Sequence, residues 1–468
     1  MTRFQAELMP GRSPIPAGTY DLARLGYEER EYKVTGTARS WRIRGDRGRD
    51  GRWATEPSEG ADFVTRIQTR VPTDPTRFSG TVAVEWNNVS GGIDIGPDWM
   101  LLHRDLIQEG HAWVGVTAQK AGVDGSGLVE GFHLKVIDPR RYGLLDHPGD
   151  AWSYDIFSGV GELLRSETSP LEPLAVRSLI GVGESQSAAF LVTYINAIDP
   201  LDAVYDGFFV HGRPGTGAGI TGFDLAERAA NGGRPRPLAT SPERIRLDVR
   251  VPVLVLQSET DVIVLGGGLP DQPDGPNLRQ WEIAGAAHAD TYMLVAAFHD
   301  DGHLSPEQLA THLRPTTDLQ TGQVDSPVNA GPQQHYVGQA AFEHLIRWVH
   351  GGDAAPVADR LRTDDGCTRL VLDEHGAAVG GVRTPWVDVP VARLSGLGQE
   401  GESFAFLFGR TDPLSGDELD RRYPGGRDEY LERFCADLDR TIAAGHILDA
   451  DRDEILALAS AAWDLLDR

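Results

Sequence analysis

Cysteine is nearly missing from this 468-residue chain: Cys367 and Cys435 are the only two. Two thiols make neither a disulfide framework nor a four-ligand zinc site, and the setting expected for them is a reducing cytoplasm. Long apolar runs are missing as well. The N-terminal segment MTRFQAELMP has no apolar signal-peptide core, and no stretch approaches the roughly eighteen apolar residues of a membrane span. Basic residues are in deficit: 44 Lys plus Arg against 69 Asp plus Glu leave a formal net charge of −25. Such a surface repels phosphate backbones, so nucleic acid is not an expected partner. Internal repeats and low-complexity tracts are also missing. With 40% apolar and 8% aromatic residues, the composition is that of a globular protein rather than a disordered or fibrous one.

At roughly 150 residues per domain the length allows two or three domains, though large α/β folds run longer as one. Glu31–Arg44 and Phe63–Val71 alternate apolar and polar residues, as antiparallel strands do. The basic run Arg42–Arg52 between them reads as a hairpin loop. Compact apolar runs follow at Gly80–Trp86, Ala112–Thr117, Ser178–Val182, Gly207–Val210, Val253–Gln257 and, more weakly, Arg279–Ile283. Short and rich in Val and Ile, they suit strands buried on both faces. Helices are expected between them, at Trp99–Glu109, at Trp152–Arg165 with Asp150 as N-cap, and at Ala188–Ile198. This alternation predicts an α/β fold, a mostly parallel sheet with helices on both faces. Gly212–Leu247, rich in Gly, Pro and Arg, breaks the rhythm and reads as a cap or lid with one apolar helix at Phe223–Ala230. Beyond Pro356 lie two amphipathic helices, Arg427–Ala444 (stripe Leu431, Phe434, Leu438, Ile442) and Asp451–Leu466. The expected division is a core over 1–355 and a C-terminal extension over 356–468 docked on it.

The strongest chemical signal is Gly181-Val182-Gly183-Glu184-Ser185-Gln186-Ser187, which follows a strand and opens an apolar helix. A nucleophile elbow needs this context: Ser185 on a tight strand-to-helix turn, small neighbours, and the helix N-terminus beneath a developing anion. A serine needs a base, and the partners are expected downstream in the order Ser, acid, His. Ser258-Glu259-Thr260-Asp261 follows the strand Val253–Gln257, with Asp261 the first choice of acid and Glu259 its competitor. His288, on the small-residue loop Ala284-Gly285-Ala286-Ala287-His288, is the expected base. Two backbone N–H groups are needed for an oxyanion hole. Gln186 offers one; the other is expected from Asn87-Asn88-Val89-Ser90-Gly91-Gly92, with Asn88 favoured and Asn87 the alternative. Trp86, Trp99 and His211 are candidate pocket residues. Gly122–Gly131 lacks a P-loop lysine, no His-Glu-x-x-His pair occurs, and no acidic or His cluster has ligand spacing, so no metal is expected.

Together these pieces resemble the α/β-hydrolase superfamily. More narrowly, VEWNNVSGG (Val84–Gly92), HPGDAWSYDIF (His147–Phe157), GESQS (Gly183–Ser187), QSETD (Gln257–Asp261), AGAAHAD (Ala284–Asp290) and GGVRTPWVDVP (Gly380–Pro390) resemble a long bacterial family of α/β-hydrolase-domain proteins. The resemblance implies a Ser-acid-His triad that works without a cofactor. The reading is a cytoplasmic serine hydrolase acting on a small-molecule carboxylic ester. Thioesterase, amidase or acyltransferase chemistry would use the same residues, and a non-catalytic ligand-binding protein on this fold is the alternative of a different class. Oligomeric state is left open.

Overall fold

The computed structural model describes residues 3–15, 18–125, 131–222, 242–319, 322–400 and 404–466. The chain forms two compact units. One comprises Met1–Val255, Pro270–Leu278 and Leu345–Asp353; the other comprises Leu256–Leu269, Arg279–His344 and Ala354–Arg468. The extension therefore shares a unit with residues 256–269 and 279–344, a different line of division from the one at residue 355.

Nine strands order as β1-β2-β3-β5-β4-β6-β7-β8-β9: β1 (Phe4–Met9), β2 (Tyr27–Arg44), β3 (Ala54–Pro72), β4 (Thr81–Trp86), β5 (Ala112–Val116), β6 (Ser178–Glu184), β7 (Gly207–His211), β8 (Val253–Ser258) and β9 (Leu278–Ile283). β1, β2 and β3 pair antiparallel, and β3 pairs antiparallel with β5. The interior pairs β5–β4, β4–β6 and β6–β7 are parallel. Every residue of β4 to β8 is buried, which is why these strands read as largely apolar runs. β8 and β9 begin in the first unit and end in the second.

In the first unit, helices α1 (Pro97–Gln108), α2 (Ser153–Leu164) and α3 (Gln186–Thr193) follow β4, precede β6 and follow β6. The core centres on the indole of Trp86, whose ring lies 4.9–5.6 Å from those of Phe190, Phe157 and Tyr154. One sequence expectation needs correcting. Asp150 does not cap α2: Trp152 takes the N-cap position, and the Asp150 carboxylate instead accepts the Lys120 N–H at 2.9 Å. A buried ion-pair network replaces apolar packing near the end of β3. Arg66, fully buried, pairs with Glu31 at 2.6 Å and Asp94 at 2.5 Å. Removing one partner of such a network costs on the order of 3–5 kcal/mol, because the other charge is stranded.

The described ends of the expected lid belong to this core. Ala218 and Ile245 are fully buried, and Arg47 binds the Glu243 carboxylate at 2.5 Å and the carbonyls of Gly217 and Ala218 at 2.9 Å. The helix expected at Phe223–Ala230 lies outside the described residues.

In the second unit, α4 (Gly426–Ala443) and α5 (Arg452–Asp464) form where the sequence places them. The buried stripe of α4 is Tyr430, Phe434, Asp437, Leu438 and Thr441 rather than one including Leu431 and Ile442. Tyr430 stacks on Trp463 of α5, with centroids 4.8 Å apart, and that contact sets the helix rotation. Among the described residues no helix is long and apolar enough to cross a membrane.

Candidate active site

Ser185 ends β6 and precedes α3 with φ +58° and ψ −116°, a backbone conformation that costs a non-glycine residue on the order of 1–3 kcal/mol. Its side chain makes no N-capping hydrogen bond to the helix, so it is not an ordinary N-cap serine. The turn is held from outside: the Ser185 N–H donates to the carbonyl of His211 at 2.9 Å. Gly183 sits at a close approach of the strand to the helix start. A Cβ there would stand 3.1 Å from the carbonyl carbon and oxygen of Ser187.

Ser187, where the elbow pattern more often has glycine, is used. Its hydroxyl donates to the Asn87 carbonyl at 3.1 Å and ties the turn after β4 to the start of α3. That turn is fixed further by the Asn88 amide group, which donates from Nδ2 to the Glu184 carbonyl at 3.1 Å and its carboxylate at 2.9 Å. Asp94 accepts from Asn87 Nδ2 at 3.1 Å.

The oxyanion expectation for Asn88 and Asn87 is corrected here. The Asn88 N–H donates to Ile95 O at 2.7 Å and the Asn87 N–H to Val116 O at 3.1 Å, so both are already spent. The Ser90 N–H is held by Asn88 Oδ1 at 2.7 Å. Val89, 1% exposed, is left with a backbone N–H that has no acceptor among the described residues. Gln186, at the first turn of α3, has its N–H equally unspent among them. Sequence reasoning missed Val89 because its availability depends on an antiparallel bridge between Asn88 and Ile95 that no local pattern announces.

The three candidate pocket residues are packed into the first unit. Trp86 is fully buried, and its Nε1 donates to Gln119 at 3.2 Å. Trp99 lies against Trp113 and under the Arg70 guanidinium, with its Nε1 on Tyr20. Both indoles are core residues, which corrects the expectation that they wall a pocket. His211, 1% exposed, holds Asp98 Oδ1 through Nδ1 at 2.8 Å. Burial pushes the Asp98 carboxyl above its ordinary range, and the imidazole draws it back down. Asp98 opens α1, whose first amides are capped from the sheet: the N–H groups of Asp98 and Trp99 donate to Glu85 at 2.8 and 2.9 Å. Glu85 is held well above the usual carboxylate range by burial and by the neighbouring Asp98.

In the second unit the two acids following β8 have different surroundings. His288 Nδ1 lies 2.5 Å from Asp261 Oδ1, and the other Asp261 oxygen accepts the Ser258 N–H and hydroxyl at 2.6 and 2.8 Å. This capping box at Ser258 fixes the carboxylate and aims it at the imidazole. Glu259 faces elsewhere. Its oxygens accept the N–H groups of Gly285 and Gly396 at 2.6 and 2.8 Å and the Ser395 hydroxyl at 3.0 Å. Burial pushes its carboxyl up, and these donors oppose the rise.

The loop carrying His288 is held by residues far along the chain. The Gly285 carbonyl accepts from Asn329 and Gln333 at 2.8 and 2.7 Å. The Ala289 N–H donates to Leu407 O, and Ala284 N–H to Val382 O. Gly396 fits against both loops so closely that a Cβ would stand 2.3 Å from Ala286 O and 2.7 Å from the Glu259 Cβ. Ser185 and its elbow thus lie in the first unit, and the Asp261–His288 pair lies in the second.

A parallel sheet whose strand β6 runs through a strained serine elbow into a helix is the architecture of the α/β-hydrolases. The chain belongs to the alpha/beta hydrolase domain family, whose sequence profile matches residues 5–457. No curated protein is significantly similar in sequence. Solved structures similar to it include XC6422 from Xanthomonas campestris, described as an α/β serine hydrolase without a lid (17% identity, 47% of this chain and 78% of that one, TM-score 0.27). A thermostable esterase from Pseudomonas putida (12%, 55% and 70%, 0.29) and fungal esterases from Rhizomucor miehei (12%, 53% and 75%, 0.28) are also similar.

Proposed function

We propose that this hydrolase-family protein cleaves a small-molecule carboxylic ester through an acyl-enzyme on Ser185. The observation that carries the proposal is the positive-φ Ser185 at the β6–α3 elbow, strained and not used as a helix cap. The Ser185 oxygen attacks the ester carbonyl, and His288 takes its proton. Because Nδ1 of His288 faces Asp261, the nitrogen left to act as base is Nε2. Asp261 holds the imidazole in that tautomer and stabilises the imidazolium that forms. The N–H groups of Gln186 and Val89 receive the oxyanion, assisted by the N-terminal field of α3. His288 returns its proton to the leaving alcohol, then activates the water that clears the acyl group. His211 and Asp98 act as positioning residues, since the His211 carbonyl holds the Ser185 N–H.

The test is covalent labelling by a fluorophosphonate together with Ser185→Ala. Labelling of Ser185 and loss of ester hydrolysis by on the order of a million-fold are expected. A Ser185→Ala protein keeping more than about a tenth of wild-type activity would sink the assignment, since an activated nucleophile is not dispensable.

A further inference from the structure

We propose that the second unit carries a binding cleft for an amphipathic carboxylate, separate from the residues assigned to ester cleavage. A cleft of about 530 Å³ lies within this unit. That volume is within the range of small-molecule sites, which are mostly apolar with a few placed polar groups. Its walls include Leu313, Val389, Leu394, Leu458 and Ala462, with Trp386 forming part of one side. The Trp386 ring is fixed in place by stacking on Tyr336, 5.6 Å away and 5° from parallel.

Polar groups on the wall are already satisfied where the structure pairs them. The Thr411 hydroxyl donates to Val328 O and accepts from the Ala330 N–H, both at 2.8 Å, and the Gly331 N–H is held by Asn329 Oδ1 at 3.0 Å. Arg314 is different. Among the described residues it is the one charged side chain lining the cleft, it is exposed, and its guanidinium makes no ion pair or hydrogen bond there. On a chain of net charge −25 a guanidinium at an apolar cleft favours a monoanion. A guanidinium matches a carboxylate in a two-pronged hydrogen bond, while the apolar walls take an alkyl or aryl tail. The occupant assigned is therefore a medium-chain alkyl carboxylate, tail inward and head on Arg314.

The experiment is calorimetric titration of full-length Ser185→Ala protein, which removes turnover and leaves the cleft unaltered. The titrants are decanoate, decanol and acetate, all below any micelle concentration. One decanoate per chain is expected, with acetate not binding. Decanol should bind about ten-fold or more weaker, the scale of one charge-assisted pair. Arg314→Gln, an exposed change that leaves the apolar walls intact, should abolish the preference for decanoate over decanol. Ala462→Trp, a half-buried position on the cleft wall, should abolish decanoate binding while the thermal unfolding curve stays cooperative. Equal affinity for decanoate and decanol, no saturable binding, or decanoate binding unchanged by Arg314→Gln overturns the proposal. So does binding unchanged in a folded Ala462→Trp protein. These outcomes are independent of whether Ser185 is a nucleophile.

Discussion

Asp261→Asn and Glu259→Gln should fail in opposite ways, and the contrast tests which acid serves His288. Asp261 uses one oxygen for His288 Nδ1 and the other for the two Ser258 donors. An asparagine can keep its carbonyl toward only one side. If it stays on Ser258, the amide NH2 faces the imidazole and forces the wrong tautomer. A change of this kind lowers kcat by about 10⁴ in a serine protease, which is about 5.4 kcal/mol of transition-state stabilisation. Stability should change little, because the capping contacts at Ser258 survive.

Glu259 is fully enclosed and takes three donors on two oxygens. A glutamine must turn its NH2 toward at least one of those N–H groups. It forfeits one charge-assisted bond and strands a buried donor, offset in part because the amide no longer buries a charge. The balance is a loss of about 2–4 kcal/mol in folding stability. Hydrolysis of p-nitrophenyl acetate together with urea unfolding separates the two effects. A Glu259→Gln protein of wild-type stability that lacks activity, alongside an active Asp261→Asn, would refute the assignment of roles.

Three other perturbations have definite expected results. Truncation after Gly352 removes Val382, Gly396 and Leu407, which bond to the loops bearing Glu259 and His288; insoluble or strongly destabilised protein is expected, and a soluble, fully active truncation would contradict it. Asp437, on the buried face of α4 beside Asp388 and paired with Arg440, has its carboxyl pushed up to about 6, first by burial and then by Asp388. A raised folded-state value means stability present below the unfolded carboxylate range is lost as pH rises through about 6. Asp437→Asn should therefore raise the thermal midpoint at pH near 7.5, relative to wild type, and lose that advantage near pH 3; an Asn variant less stable at neutral pH would contradict the sign. Replacing residues 223–241 by a short Gly-Ser linker spares the buried anchors Ala218 and Ile245. It should alter preference across an acyl-chain series more than reactivity toward a small activated ester, and an unchanged preference removes the lid role.

Legibility in the sequence followed burial. β4 to β8 were readable because both faces are covered, so most of their residues are apolar or small regardless of alternation, the larger polar ones, Glu85, Glu184, His211 and Gln257, lying near the strands' carboxyl ends. β1 was not, because FQAELM buries only Phe4 fully, against Phe63 at 4.7 Å. The elbow was visible since strand, glycine, serine and helix are contiguous. Residues set by long-range bonding were not readable. Val89 owes its unspent N–H to Ile95, and Glu259 differs from Asp261 because Ser395 and Gly396, more than a hundred residues later, occupy it. Trp86 and Trp99 misled because large aromatics beside a site loop suit a core as well as a wall.

The bonds from Val382, Gly396 and Leu407 to the acid and base loops have a consequence for how the molecule is made. The bonds described above that brace the turn at Ser185, from its N–H to His211 O, from Ser187 to Asn87 O and from Asn88 to Glu184, reach no further than residue 211, whereas the loops at 259–261 and 284–289 also bond to residues up to 407. Synthesis proceeds from the N-terminus, and domains take shape as they emerge. A growing chain would thus hold the braced turn at Ser185 for some two hundred residues before the loops bearing Asp261 and His288 are pinned. If the proposed mechanism holds, hydrolytic competence then waits until the chain has been made past residue 407.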